Sequence, residues 1–230
     1  MLQAGAAAAG CPECGEPLVM QGGCQNCASC ATSPHDSEFK RLYSQEVQML
    51  FSALDCVLLD RERVLYCSSE LTSGLNLYRA LRHYGLKTAS DLRKKLDEAW
   101  FRTNVVDVNI QAAVAFAGHA RRAVPPETIV VTPAPFSAPD WDQPQYLAFW
   151  RDLLLTRVGL VWFNRNWEFS NGCSLEFAVA QHAGLSTFDH AGNPLDCRKG
   201  IELLNAAIQQ LASEGFDVSK LSDNLNSLLP

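Results

Sequence analysis

Short apolar segments alternate with longer amphipathic stretches along most of the chain. The apolar segments are rich in β-branched residues, which is typical of buried strands. Strands are predicted at 64–68, 128–132, 159–163 and 185–188, and helices at 75–84, 105–123, 144–157, 172–183 and 199–212. Strands that alternate with helices form right-handed βαβ units. The pattern therefore predicts an α/β fold with a doubly wound parallel sheet of four or five strands and helices on both faces.

One charged stretch interrupts this alternation. Residues 85–104, GLKTASDLRKKLDEAWFRTN, contain no strand pattern, so we expect an insertion of helix or loop that covers the site. The pattern of residues 216–230 predicts a short helix that packs against the surface of the domain.

The composition is that of a soluble globular protein. The 230 residues are 47% hydrophobic and 19% charged, with a formal net charge of −6. A protein that grips a nucleic-acid backbone needs a basic face, so nucleic acid is not an expected partner, whereas a small nucleotide is compatible. No uninterrupted apolar run reaches eighteen residues, and the first ten residues lack the basic start of a signal peptide. We therefore expect a cytoplasmic protein without a membrane segment.

Five of the nine cysteines crowd into residues 11–30. Two Cys-x-x-Cys knuckles at such close spacing can close a tetrahedron of thiolates around zinc. Cys11 and Cys14 form the first pair, and the second is either Cys27 with Cys30 or Cys24 with Cys27. A structural Zn²⁺ ion is the predicted cofactor. The segment is similar to the zinc ribbon at the carboxyl terminus of cobalamin-dependent ribonucleotide reductases.

The ribbon divides the chain into three predicted parts. Residues 1–34 hold the zinc ribbon and a flexible N-terminus, residues 35–60 a linker helix, and residues 61–230 the α/β domain. Because the net charge is negative, the ribbon is more suited to contact a protein partner than DNA.

Residues 162–180, WFNRNWEFSNGCSLEFAVA, carry the main functional signal. An apolar strand ends there in a polar loop, and the next helix carries Glu176 among apolar neighbours. In an open parallel sheet, ligands bind where strands end and helices begin. Burying a carboxylate in a largely apolar helix is costly, which indicates a functional role. Glu176 is therefore the candidate catalytic residue, with a surface salt bridge as the alternative.

The loop before this helix offers candidate substrate contacts. Ser170 can cap the helix or donate its hydroxyl to an anion, and Gly172 allows close backbone approach. Asn164 and Asn166 provide donors and acceptors for a base edge, and the loop position of Trp167 suits it to stack a base.

These residues resemble the nucleoside 2-deoxyribosyltransferase superfamily, which includes the 2'-deoxynucleoside 5'-phosphate N-hydrolases. Ser170, Gly172 and Glu176 match its S-x-G-x-x-x-E signature, and VLYCSSELTSG at 64–74 matches its first strand and small-residue loop. Asp152 lies 24 residues before Glu176, where the family commonly carries an acidic residue. The resemblance implies a flavodoxin-like form of the doubly wound sheet.

The resemblance also implies roles. Glu176 is the nucleophile that forms a covalent glycosyl ester, and Asp152 is the second carboxyl group that protonates or orients the departing base. The alternative for Asp152 is an ion pair on its own helix, with Arg151 or Arg157.

The serines imply the substrate class. Ser170 stands where the nucleoside transferases carry an aspartate, and with Ser68 and Ser69 it suits a 5'-phosphate. Leu65 stands where the nucleotide hydrolases carry a tyrosine that helps catalysis.

The expected function is therefore an N-glycosidic bond hydrolase or transferase that acts on a (deoxy)nucleoside 5'-monophosphate. Two alternatives are a TIR-like NAD-cleaving enzyme, which shares the fold and a glutamate-dependent cleavage, and a non-catalytic nucleotide-sensing module with a partner-binding zinc ribbon. Members of the superfamily commonly assemble as oligomers, so the resemblance also implies a homo-oligomer.

Overall fold

The structure of the protein is a computed structural model. It describes the backbone of residues 18–21, 24–27, 34–138, 141 and 143–229, and the side chains of residues 45–138, 141 and 145–229. The chain divides into two compact units, Met1–Val57 and Leu58–Pro230. This division falls close to the predicted start of the α/β domain at residue 61.

The first unit contains a hairpin and a helix. Strand β1 (Leu18–Gln21) pairs antiparallel with β2 (Cys24–Cys27), and α1 spans Pro34–Asp55. The linker helix predicted within residues 35–60 thus corresponds to α1.

The second unit is built on a parallel sheet. Its strands are β3 (Val64–Ser68), β4 (Ile129–Val131), β5 (Leu160–Phe163) and β6 (Ser186–Phe188), in the order β4-β3-β5-β6. Each strand runs parallel to its neighbours. The predicted α/β fold is confirmed, with four strands in the described part of the sheet, and the strand order is consistent with a flavodoxin-like fold.

Seven helices of the described chain surround this sheet. They are α2 (Leu75–Tyr84), α3 (Ala89–Phe101), α4 (Asp107–Ala123), α5 (Gln143–Arg157), α6 (Asn171–His182), α7 (Cys197–Ser213) and α8 (Ser219–Leu228). Side-chain caps mark where several of them begin: Thr88 accepts from the Asp91 amide, and Asp196 accepts from the Lys199 amide.

The strand order creates a crevice at one edge of the sheet. After β3 the chain crosses to β4, and after β4 it returns past β3 to β5 on the opposite side. Connections that diverge in this way leave an opening at the carboxyl ends of the two central strands. Ser68 and Phe163 are the last paired residues of β3 and β5, so the loops that follow them border the opening.

Strand β3 presents its side chains to both faces of the sheet. Leu65 and Cys67 belong to an apolar cluster with residues of α4. Tyr66 lies on the opposite face, where its ring is 5.8 Å from that of Trp150 in α5. Because successive side chains of a strand alternate between faces, Ser68 shares the face of Tyr66.

A second apolar cluster joins the helices outside the sheet. Its buried members come mainly from α2, α3, α7 and α8: Leu77, Tyr78, Leu81, Leu92, Phe101, Val105, Val106, Phe169, Ala207, Leu211, Phe216 and Leu221. The stretch predicted as an insertion is therefore a packed element rather than a loose loop.

The end of this insertion has an unusual backbone. Asp97 interrupts α3 with a φ of 70°, and its carboxylate accepts from the Trp100 amide, so it caps the turn that follows. Residues Arg102–Val106 then form a π-helical turn before α4 begins. Such turns are frequent at functional sites because they redirect the side chains of a helix.

One glycine sits at a close contact between helices. A Cβ at Gly200 in α7 would overlap the ring of Phe177, a fully buried side chain of α6. We expect Gly200→Ala to lower the free energy of unfolding by about 1–3 kcal/mol, because the ring is held in the core and cannot move aside freely. Urea denaturation measures this change.

The matched control for this substitution is Gly118→Ala in α4. The nearest atom to a Cβ there is Nη1 of Arg122, at 3.7 Å. Alanine has the higher helix propensity, so this variant should gain about 0.5–1 kcal/mol. Equal effects at the two glycines would show that packing against Phe177 is not the cause.

No described helix is both long enough and apolar enough to cross a membrane.

Candidate functional site

Glu176 lies at the crevice and is held by two hydroxyl groups from β3. Its Oε1 accepts a hydrogen bond of 2.7 Å from the Tyr66 hydroxyl, and its Oε2 accepts one of 2.5 Å from Ser68 Oγ. The alternation of side chains along β3 brings both donors to the face that α6 covers. The carboxylate is therefore fixed in orientation by residues that are two positions apart on one strand.

Burial dominates the electrostatics of this carboxylate. The residue is only 9% exposed. Burial raises the pKa of Glu176 to about 7, while the hydrogen bonds from Ser68 and Tyr66 act in the opposite direction. Burial and the nearby Glu176 hold the pKa of Tyr66 well above its usual range, so its phenol stays protonated and can donate.

Glu176 lines a cavity of about 470 Å³, a size typical of small-molecule sites. Part of the cavity surface, which we name the polar wall, consists of Ser69, Thr72, Ser73 and Ser170. These residues come from the loop after β3 and from the start of α6. The cavity thus lies at the carboxyl ends of the strands, where the sequence predicts a ligand site.

Ser170 has one of its two predicted roles in the structure. Its Oγ accepts from the Cys173 amide and so caps α6, and it also lies 3.1 Å from Ser73 Oγ. Donation to an anion stays a prediction. Ser69 differs, because it is 6% exposed and its hydroxyl has no hydrogen-bond partner among the residues that the structure describes. A buried hydroxyl without a partner is costly, so Ser69 has a free donor and acceptor for a molecule in the cavity.

Another part of the cavity surface is an aromatic wall formed by Phe136, Tyr146 and Trp150. The Tyr146 hydroxyl accepts from the Ala138 amide and donates to the Ala138 carbonyl oxygen, at 2.7 and 2.9 Å. Its polar atom is thereby satisfied by the backbone. The wall accordingly presents ring surface, which suits a flat apolar group.

The predicted partner of Glu176 is not in the cavity. Asp152 is exposed on α5 and is absent from the lining residues. The next two residues, Leu153 and Leu154, are buried, so the turn of the helix directs Asp152 to solvent. The structure therefore does not bring the two carboxylates together, and the expected pairing is corrected. Among the lining residues that the structure describes, Glu176 is the only acidic one.

Three expected base contacts also lie outside the cavity lining. Trp167 is buried in the core, with its ring 4.7 Å from that of Phe177. Asn166 is exposed with a φ of 63°, and the side-chain oxygen of Asn164 accepts from the Arg165 amide. The loop after β5 folds back into a short 3₁₀ turn, Trp167–Phe169, which directs Trp167 inward.

Other predicted substrate residues do reach the cavity. Ser69, Ser170 and Gly172 line it, whereas Ser68 holds Glu176 from the end of β3. Tyr66 is not among the residues predicted from the sequence, because the resemblance points to a tyrosine one position earlier, at Leu65. The alternation of side chains along a strand points to Tyr66, since residues two positions apart on β3 share one face of the sheet, as Tyr66 and Ser68 do.

The predicted zinc ligands fall in a part of the chain that is not described. Cys11, Cys14 and Cys30 lie outside the described residues, and the side chains of Cys24 and Cys27 are likewise outside them. Where side chains are described, no group of three His, Cys, Asp or Glu residues could hold a metal ion. The zinc ribbon stays a prediction from the cysteine spacing.

Comparisons with protein-family models, with curated proteins and with solved structures gave no match.

The ionisation of Glu176 can be tested without any assumption about activity. Tyr66→Phe removes one donor to the buried carboxylate, so we expect the pKa of Glu176 to rise by about one to two units. A carbon-13 NMR titration of side-chain carboxyl groups measures it, with the Glu176 signal assigned by its loss in Glu176→Gln.

Tyr146→Phe is the matched control, since the Tyr146 hydroxyl bonds to Ala138 and has no hydrogen bond to Glu176. The pKa of Glu176 should stay unchanged in this variant. A Tyr66→Phe protein with the wild-type titration would show that the hydroxyl does not stabilise the carboxylate.

Proposed function

We propose that the protein cleaves the N-glycosidic bond of a (deoxy)nucleoside 5'-monophosphate, as a hydrolase or a transferase, through a covalent bond between the sugar and Glu176. The observation that supports this most is a buried carboxylate that lines a cavity and is oriented by Tyr66 and Ser68. A carboxylate placed beneath the anomeric carbon can trap an oxocarbenium-like sugar.

The proposed reaction has two steps. In the first, an oxygen of ionised Glu176 forms a bond to C1' of the sugar, and the bond from C1' to the base breaks. The electron pair of that bond stays on the base, which takes up a proton from water and leaves a hydroxide ion; water is the donor because Asp152 does not reach the cavity. In the second, water or another base attacks C1', the ester bond breaks and restores the Glu176 carboxylate, and the attacking group gives a proton to the hydroxide ion.

The two walls suit the two ends of such a substrate. The hydroxyl groups of Ser69, Ser73 and Ser170 can donate to phosphate oxygens, and the amides at the start of α6 lie at the positive end of its dipole. Phe136 and Trp150 can stack on the base. Orientation by both walls would place C1' at the carboxylate.

The test is a panel of substrates. Purified protein is incubated with deoxynucleoside 5'-monophosphates, ribonucleoside 5'-monophosphates, the corresponding nucleosides and NAD, and free base is measured by chromatography. We expect base release from one or more monophosphates. Release of nicotinamide alone would favour the TIR-like alternative, and tight binding without base release would favour the sensing module.

A further inference from the structure

The cavity lining carries one basic side chain among the residues that the structure describes, and this is Arg102. It stands at the start of the π-helical turn Arg102–Val106, between α3 and α4. A cation at the edge of a cavity that also contains hydroxyl donors is suited to an anionic group. No resemblance or motif in the sequence singles out this residue.

Hydrogen bonds fasten the start of α4 to the loop that carries the polar wall. Asn109 is 1% exposed, and its Nδ2 donates to the carbonyl oxygens of Leu71 and Ser73 at 2.8 and 3.4 Å. Asn76 Nδ2 in turn donates to Asn109 Oδ1 at 2.7 Å. The turn that carries Arg102 is therefore held beside the loop that carries Ser69 and Ser73.

Arg102 has a partner that it can exchange. Its Nε donates to Asp107 Oδ1 at 2.8 Å, and the two side chains are 62% and 42% exposed. For ion pairs exposed to this degree, the paired state is favoured over the separated state by less than about fivefold, because water screens the charges. A phosphate group with a double charge can form a bidentate pair with the guanidinium, which is stronger.

The buried hydroxyl of Ser69 is an independent sign of a ligand in the same cavity. Within the described part of the chain it has no hydrogen-bond partner, although the residue is only 6% exposed. Protein folds rarely leave such a group unsatisfied unless water, an ion or a ligand completes it.

We propose that Arg102 is the residue that selects phosphorylated substrates: it leaves Asp107 and pairs with the 5'-phosphate that Ser69, Ser73 and Ser170 receive. This inference rests on the proposed function for the identity of the substrate. It adds that the π-helical turn carries the discrimination between nucleotide and nucleoside.

The test measures binding in a protein that cannot turn the ligand over. In the full chain with Glu176→Gln, titration calorimetry compares a deoxynucleoside 5'-monophosphate with its deoxynucleoside, using the base that the substrate panel identifies or, without turnover, all four bases. We expect Arg102→Ala to weaken monophosphate binding by about 10-fold to 100-fold and to change nucleoside binding by less than about twofold.

Two further variants sharpen the result. Asp107→Asn removes the competing carboxylate, so monophosphate binding should strengthen by up to about fivefold. Arg198→Ala is the matched control, because Arg198 is an exposed arginine paired with Glu202 outside the cavity lining. It should change neither affinity.

The inference fails if Arg102→Ala weakens nucleotide and nucleoside equally, or if it weakens neither. It also fails if the Glu176→Gln protein that keeps Arg102 binds the monophosphate no more tightly than the nucleoside. Base release by the wild-type protein in the substrate panel is measured separately, so the proposed function can stand when the role of Arg102 does not.

Discussion

Replacing Glu176 with glutamine is expected to reduce base release by on the order of 10³-fold or more, because the amide cannot form the glycosyl ester. The side chain keeps its size, and its oxygen can still accept from Tyr66 or Ser68. Binding of the substrate should therefore survive. Single-turnover assays with chromatographic detection of the base measure the chemical step directly.

Glu70→Gln is the matched control for this loss. Burial raises the pKa of Glu70 to about 7, as it does for Glu176, but Glu70 accepts from the Leu75 amide and does not line the cavity. We expect its glutamine variant to keep base release within about fivefold of the wild type, since a neutral acceptor still serves that amide. Equal losses in the two variants, or full activity of Glu176→Gln, would contradict the nucleophile assignment.

The second large effect is on the pH dependence of stability. Burial raises the pKa of Glu176 to about 7 from an ordinary value of 4.5. Between these two values the folded state binds more protons than the unfolded state, so the free energy of unfolding falls as the pH rises. The contribution of Glu176 to the free energy of unfolding is fully present below about pH 4.5 and is lost as the pH rises through 7. The loss from this residue amounts to about 3 kcal/mol.

Urea denaturation at pH 5 and at pH 8 measures this effect. Wild-type protein should be less stable at pH 8, and Glu176→Gln should show a pH-dependent loss that is smaller by about 2.5 kcal/mol, because part of the effect has already developed at pH 5. Burial raises the pKa of Glu70 in the same direction, so some pH dependence should persist in the variant. Parallel stability curves for the two proteins would show that folding does not raise the pKa of Glu176.

The sheet and its helices could be predicted because their signals are local. The pattern at 64–68 predicts the strand that the structure has as Val64–Ser68, and the pattern at 75–84 predicts the helix Leu75–Tyr84. Ends were less certain: the helix predicted from residue 105 begins at Asp107, after a π-helical turn that has no sequence signature.

The site could be predicted only where the chain itself places a residue at the crevice. Ser170, Gly172 and Glu176 come at the first α-helix after β5, so the end of that strand places them at the cavity. The prediction for Asp152 was wrong because spacing along a chain does not say which side of a helix faces the sheet. Its neighbours Leu153 and Leu154 take the buried side of α5.

The sequence by itself determined the strands, most of the helices and the place of Glu176 within α6, because each depends on residues within a few positions of one another. Tertiary structure alone decided what surrounds that carboxylate. Tyr66 and Glu176 are 110 residues apart in the chain, and the aromatic wall and Arg102 come from segments between them. Such groups meet only when the crossovers of the sheet close, and no local pattern records that meeting.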